Sequence, residues 1–222
     1  MIIALAAGVA ALAGIILLES FFRNRLKELF EDTQYFISFF LVTGYILYAL
    51  GEVALSLMRV VFKDQSSIGI QDVYWSGGAL LILVSFIALT IALFRQSGEI
   101  GTLGIMAGVG VVLVALVLIL VPSGTFFARF YPIMSALIVT FASSVILFRS
   151  RLGNWSRPLQ LFFLASCAIL LGDLFFGSAL AAASYGTIGM ITDISYLAGY
   201  SLSAAAFIAF RSQFHKAALR NF

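Results

Sequence analysis

The chain has 222 residues, 62% of them hydrophobic and only 10% charged, with 13 Lys and Arg against 10 Asp and Glu. Soluble domains carry roughly 25% charged residues, so this composition excludes an ordinary soluble globule. Seven apolar stretches, at about 1–21, 36–60, 72–94, 101–121, 131–148, 159–183 and 190–210, are each long enough to cross a bilayer as a helix. An outer-membrane barrel needs short alternating segments, whereas Gly108–Val121 is continuously apolar. The expected fold is all-α and integral to the membrane: one seven-transmembrane-helix bundle over residues 1–222.

The first stretch has no Lys or Arg before its apolar run, and the first basic residue is Arg23. A secretory leader has a basic start and a small-residue cleavage site, so residues 1–21 read as a retained first helix. The second stretch carries Tyr45, Tyr48 and, mid-helix, Gly51-Glu52. The third opens on Asp72, followed by Tyr74 and Trp75. The fourth has no ionisable residue and is rich in Gly and Val, which predicts a connector and packing wall. Its Gly101, Gly104, Gly108 and Gly110 permit close helix contact. Phe126, Phe127, Phe130 and Tyr131 flank the start of the fifth as an interfacial aromatic belt, and Trp155 beside Arg157 does the same before the sixth. The sixth contains Gly172-Asp173 and the single cysteine, Cys167, which reads as a small packing residue. The seventh carries Asp193, Tyr196 and Tyr200, and after it Phe214, Ala218 and Phe222 form a short amphipathic strip suited to a leaflet surface.

Basic residues alternate between loops. Arg23, Arg25, Lys27, Arg95, Arg149, Arg151, Arg157, Arg211, Lys216 and Arg220 fall on one side, and only Arg59, Lys63 and Arg129 on the other. The positive-inside rule then places the N-terminus outside and the C-terminus in the cytoplasm. The basic pI of about 9.2 reflects this topology. Anionic headgroups are the expected contact of the basic loops, and nucleic acid is not an expected partner.

Gly51-Glu52 recurs as Gly172-Asp173 and Asp72 recurs as Asp193, both at an offset of 121 residues. Leu50, Gly51, Ile70, Asp72, Gly78, Leu81, Phe86, Ile87 and Ala88 all meet identical residues at that offset, and Trp75 meets Tyr196. Chance identity is high among aliphatics, so the acids, glycines and aromatics carry the comparison. Helices 2 and 3 correspond to 6 and 7, and helix 1 should correspond to 5 without a clear sequence match. The expected halves are about 1–95 and 122–212. Four helices separate the copies, so the repeat is parallel, with its axis along the membrane normal.

An acid on a lipid-facing helix surface costs on the order of 3 kcal/mol or more. Glu52, Asp72, Asp173 and Asp193 are therefore expected to face the bundle interior or a water-filled cavity, in the outer half of the membrane. Tyr45, Tyr48, Tyr74, Trp75, Tyr196 and Tyr200 lie on the same helices. Aromatic faces beside carboxylates suit an organic cation, and carboxylates alone suit a proton or a metal ion. The plainer alternatives are helix capping for Asp72 and Asp193 and interhelical hydrogen bonding for Glu52 and Asp173. The only histidine, His215, lies in the tail. Bis-histidine haem, histidine zinc sites and Ser-His-Asp catalysis within the membrane are thus unsupported, and no cofactor is expected.

Ile191-Thr-Asp193-Ile-Ser-Tyr196-Leu-Ala-Gly199-Tyr200, with Asp72-Val-Tyr-Trp75 earlier, resembles the seven-helix sensor regions that precede diguanylate cyclase or histidine kinase domains in prokaryotes. The resemblance implies a sensor module in a prokaryotic plasma membrane; no output domain follows here, so signalling would pass through a partner. The seventh helix also resembles that of microbial rhodopsins, which carry Asp-x-Ser-x-Lys-x-Gly-aromatic. Leu197 stands where their retinal-linking Lys would be, so a rhodopsin-like fold is implied without a retinal Schiff base. Leu-Leu-Gly172-Asp173 is similar to a segment of the membrane lysoplasmalogenase family, whose remaining pattern, including its histidine, is absent.

These readings converge on a receptor-like or accessory membrane protein with an outward-facing acidic and aromatic pocket. Glu52 and Asp173 would form its floor, and Asp72, Asp193 and the aromatics its mouth. A protein partner at the cytoplasmic face, or a second copy, would receive the signal. The alternatives are a small cation- or proton-coupled transporter or channel, an intramembrane acid-dependent lipid hydrolase, and a structural subunit. No catalytic residue is assigned.

Overall fold

The computed structural model describes residues 1–23, 26–62, 69–121, 126–181 and 186–220, without the side chains of 26, 97, 127–128, 177–181 and 214–220. The side chains of the amphipathic strip expected of Phe214, Ala218 and Phe222, and the loop holding Lys63, lie outside what is described. Seven helices are long and apolar enough to cross a membrane, and no strand occurs among the described residues. They are α1 (Ile2–Phe22), α2 (Thr33–Val60), α3 (Ile70–Ser97), α4 (Ile100–Leu120), α5 (Phe126–Ala142), α6 (Ser156–Ala181) and α7 (Thr187–Arg220).

The helices outrun the apolar stretches because polar residues start and stop them. Asp32 precedes α2 and accepts the N–H groups of Gln34 and Tyr35, which satisfies backbone donors the helix itself cannot. α3 ends at Gly98, whose φ of 65° is the left-handed conformation that glycine supplies without strain. The fifth crossing, expected as one helix over 131–148, is broken. α5 stops at Ala142 and a short helical segment, Ser144–Leu147, completes it. At the break the Ser143 hydroxyl donates to the Thr140 carbonyl, a local bond that competes with the helical ladder.

Six helices close a ring in the order α1, α2, α3, α5, α6, α7, each packed on its two neighbours. The closest contacts are α2 on α3 and α6 on α7. α4 lies outside the ring, chiefly on α5, where Val117, Val121, Ala136, Val139 and Leu170 form a small second core. Only 11% of its apolar window is buried, the least of the seven. The expectation that its glycines allow close contact holds for Gly110, which lies against Thr140. It fails for Gly101, Gly104 and Gly108, where nothing among the described residues lies within 4 Å of an added Cβ.

The main core fills the ring on the side of the α2 start and the α7 end. Tyr45, Phe86, Phe162, Phe207 and Phe210 are almost wholly buried there. Phe162 and Phe207 meet edge to face at 4.8 Å, and Tyr45 meets both. The buried carboxylates among the described residues, Glu52, Asp72 and Asp173, all lie at the opposite end.

Candidate functional site

Inward-facing positions along each helix recur every three or four residues. On α7 they read Asp193, Tyr196, Tyr200, Ser203 and Phe207; on α2, Tyr45, Tyr48, Glu52 and Arg59. The two series meet level by level. Ser203 Oγ and Tyr45 Oη are hydrogen-bonded at 2.7 Å. One turn nearer the chain's N-terminal face, Tyr48 and Tyr200 cross at near right angles, and the Tyr200 hydroxyl donates to Glu52 Oε1 at 3.1 Å. A further turn along, Tyr196 donates to Asp173 Oδ1 at 2.6 Å and Ser135 of α5 donates to Oδ2 at 2.5 Å.

These groups surround a partly enclosed cavity of about 240 Å³. Its lining includes Tyr48 with Ile169, Glu52 with Asp173, Leu55 with Phe176, Trp75 with Tyr196, and Ala79 with Tyr200. Each of these five pairs is separated by 121 residues. Tyr131, Ser135, Thr192, Asp193, Ser56 and Arg59 also line it, and Met1, Ile3 and Val60 lie near the helix ends beside them.

The two Gly-acid dipeptides have a steric explanation. A Cβ on Gly51 would lie 2.5 Å from the Trp75 ring, and one on Gly172 would lie 2.9 Å from the Tyr196 ring. Each glycine is the seat of an aromatic side chain from the next helix, and the following acid faces the cavity. Deeper, Gly78 rests on the Gly44 carbonyl and Tyr48, while Gly199 rests on Ile169 and the Ala165 carbonyl. Those contacts also match at the 121-residue offset.

The ten expected site residues separate into groups. Glu52, Asp173, Asp193, Tyr48, Trp75, Tyr196 and Tyr200 line the one cavity; Asp72, Tyr45 and Tyr74 do not. Asp72 is 5% exposed and its oxygens are occupied, Oδ1 by the Tyr131 hydroxyl at 2.6 Å and Oδ2 by the Gly69 N–H at 2.8 Å. It caps α3, as the plainer reading held, and is not at the cavity mouth. Asp193 is no cap, because α7 begins at Thr187 and leaves it in the second turn. Tyr45 lies below the cavity within the aromatic core, and Tyr74 is half-buried elsewhere.

Tyr131 and Ser135 were not anticipated at this site. Tyr131 was expected in an interfacial belt, yet it faces inward and meets Trp75 edge to face at 5.9 Å. Their spacing of four residues on α5 places two polar groups on one helix face, and that was the available signal. Arg59 is the guanidinium lining the cavity among the described residues. No group of three or more metal-ligating side chains occurs among the described residues.

The two carboxyl groups differ in how their oxygens are engaged. Both Asp173 oxygens accept hydroxyl hydrogen bonds. Among the described residues, Tyr200 is the hydrogen-bond partner of Glu52 and engages Oε1 alone. Oε2 of a residue only 8% exposed is thereby left to the cavity.

No protein-family model, curated protein or solved structure matches the chain.

Proposed function

We propose that this protein is a receptor-like integral membrane protein of a prokaryotic plasma membrane, binding a small organic cation in an outward-facing pocket. Glu52 is the counter-charge, and the rings of Tyr48, Trp75, Tyr196 and Tyr200 supply the aromatic faces that favour a cation. Occupancy shifts the packing of α2 and α7, and a partner or second copy at the cytoplasmic face reads the shift. The observation that carries this reading is the open Oε2 of Glu52 within an aromatic cavity of about 240 Å³. Ligand pockets of ~300–1,000 Å³ take drug-sized molecules, so a smaller ligand fits here.

The parallel repeat is part of the proposal. Its support is the closed six-helix ring, in which α1–α2–α3 and α5–α6–α7 occupy corresponding places, and the five lining pairs at one offset. The outward orientation rests on the basic residues gathered at the opposite face. The prokaryotic plasma membrane rests on the resemblance to prokaryotic sensor regions.

A cation path through the bundle is the second reading, since parallel repeats also build transporters. The aromatic plug of Tyr45, Phe162, Phe207 and Phe210 below the cavity favours binding over conduction. The test is a thermal-shift screen of the purified protein across metal ions and small organic cations, beside the Glu52→Gln/Asp173→Asn variant. Stabilisation of the wild type alone by an organic cation supports the proposal. Equal shifts in both proteins, or none with any cation, reject it.

A further inference from the structure

The cavity has a second charged pole that a plain cation leaves unused. Arg59 follows Glu52 by seven residues on α2, two turns and about 10 Å of rise along the same helix face. Helical side chains lean towards the helix N-terminus, so the Arg59 side chain inclines from the rim back towards Glu52, and it lines the same void. Asp193 lines it from α7. The α2 wall therefore presents a carboxylate oxygen at depth and a guanidinium near the mouth, with Leu55 and Ser56 between them. Guanidinium groups pair in bidentate fashion with carboxylates and phosphates.

We propose that the ligand of this cavity is a zwitterion, with its cationic group held by Glu52 and the surrounding rings and its anionic group by Arg59. This rests on the cation-binding reading above and adds the second pole. Two helical turns, about 10 Å of rise between the two residues, suit a cation and an anion several bonds apart, as in a γ- or ω-amino acid or a betaine of that length. An α-amino acid, whose poles are adjacent, cannot span them. The deep end disfavours anions because Glu52 and Asp173 face it, whereas Arg59 brings a positive charge to the lining beside the Asp193 carboxylate.

The experiment is isothermal titration of the full chain in detergent with four probes: choline, γ-butyrobetaine, glycine betaine and butyrate. The expected order is γ-butyrobetaine at least tenfold tighter than choline and than glycine betaine, with no binding of butyrate. Arg59→Gln should bring γ-butyrobetaine down to the affinity of choline, while choline, freed of a like charge in the cavity, should bind no more weakly than to wild type. Arg59→Lys should keep part of the preference. Arg59 is exposed at a helix end, so both variants should fold, and circular dichroism checks this. Equal affinity for choline and γ-butyrobetaine, unchanged in Arg59→Gln, would overturn the zwitterion while leaving the cation site standing. Failure of every cationic probe to bind would overturn both.

Discussion

Gly78→Ala tests the packing that shapes the cavity. A Cβ at this position would lie 2.8 Å from the Gly44 carbonyl oxygen and 2.7 Å from Cδ1 of Tyr48. Ordinary carbon–oxygen contacts between helices are about 3.3–3.6 Å, so α2 and α3 must part by roughly 0.5 Å. The obstacle is backbone, which cannot rotate away, and overpacking of this kind costs about 1–3 kcal/mol. Alanine also gains up to about 1 kcal/mol of helix propensity over glycine, which hides part of the cost. Gly104→Ala supplies the reference, because Gly104 is exposed on α4 with nothing within 4 Å of an added Cβ. The propensity gain cancels between the two variants, leaving a difference of about 1–3 kcal/mol. Reversible unfolding in mixed micelles, followed by far-UV circular dichroism, measures it. Equal stability of the two variants would refute the close α2–α3 crossing.

Other outcomes follow from the same contacts. Gly199→Ala should also destabilise, because its Cβ would meet Ile169 Cγ1 at 2.6 Å and the Ala165 carbonyl oxygen at 3.3 Å; the same unfolding assay measures it against Gly104→Ala. Gly51→Ala should unseat Trp75, shifting its fluorescence in a Trp155→Phe background and weakening cation binding severalfold; an unchanged spectrum contradicts the glycine-seat explanation. Tyr131→Phe removes one hydrogen bond to the buried Asp72 and should destabilise by about 0.5–2 kcal/mol in the same unfolding assay; unchanged stability contradicts that role. For topology, in a Cys167→Ala background, Gly186→Cys should react with a membrane-impermeant thiol reagent on intact cells and Ser150→Cys should not; the reverse pattern would invert the orientation.

Much of this arrangement was legible in the sequence because the membrane limits the choices. A carboxylate within an apolar helix must face inward, and that alone directs Glu52 and Asp173 to a common interior. The spacing of Tyr196 and Tyr200 from Asp193 fixes which face of α7 they share. The contribution of α5 was obscured because an aromatic near a helix start reads equally well as a belt residue, and only the three-dimensional ring brings Tyr131 to Asp72. Ser135 was obscured for a related reason: a lone serine in a membrane helix usually bonds its own backbone, as Ser166 does with Phe162. Periodicity cannot tell a helix outside the ring from one within it when every residue is apolar, so which α4 glycines meet a neighbour was not legible. Asp72 and Asp193 looked equivalent in the sequence, and their roles diverge because α3 starts two residues before Asp72 while α7 starts six before Asp193.

The central claim is that Glu52, through its open oxygen, holds a cation among aromatic rings. Titration of choline into wild type and Glu52→Gln, monitored by calorimetry, tests it most directly. Saturable binding in the wild type that weakens at least tenfold in the variant is the predicted result. Binding of equal strength in both, or none in the wild type, would contradict it.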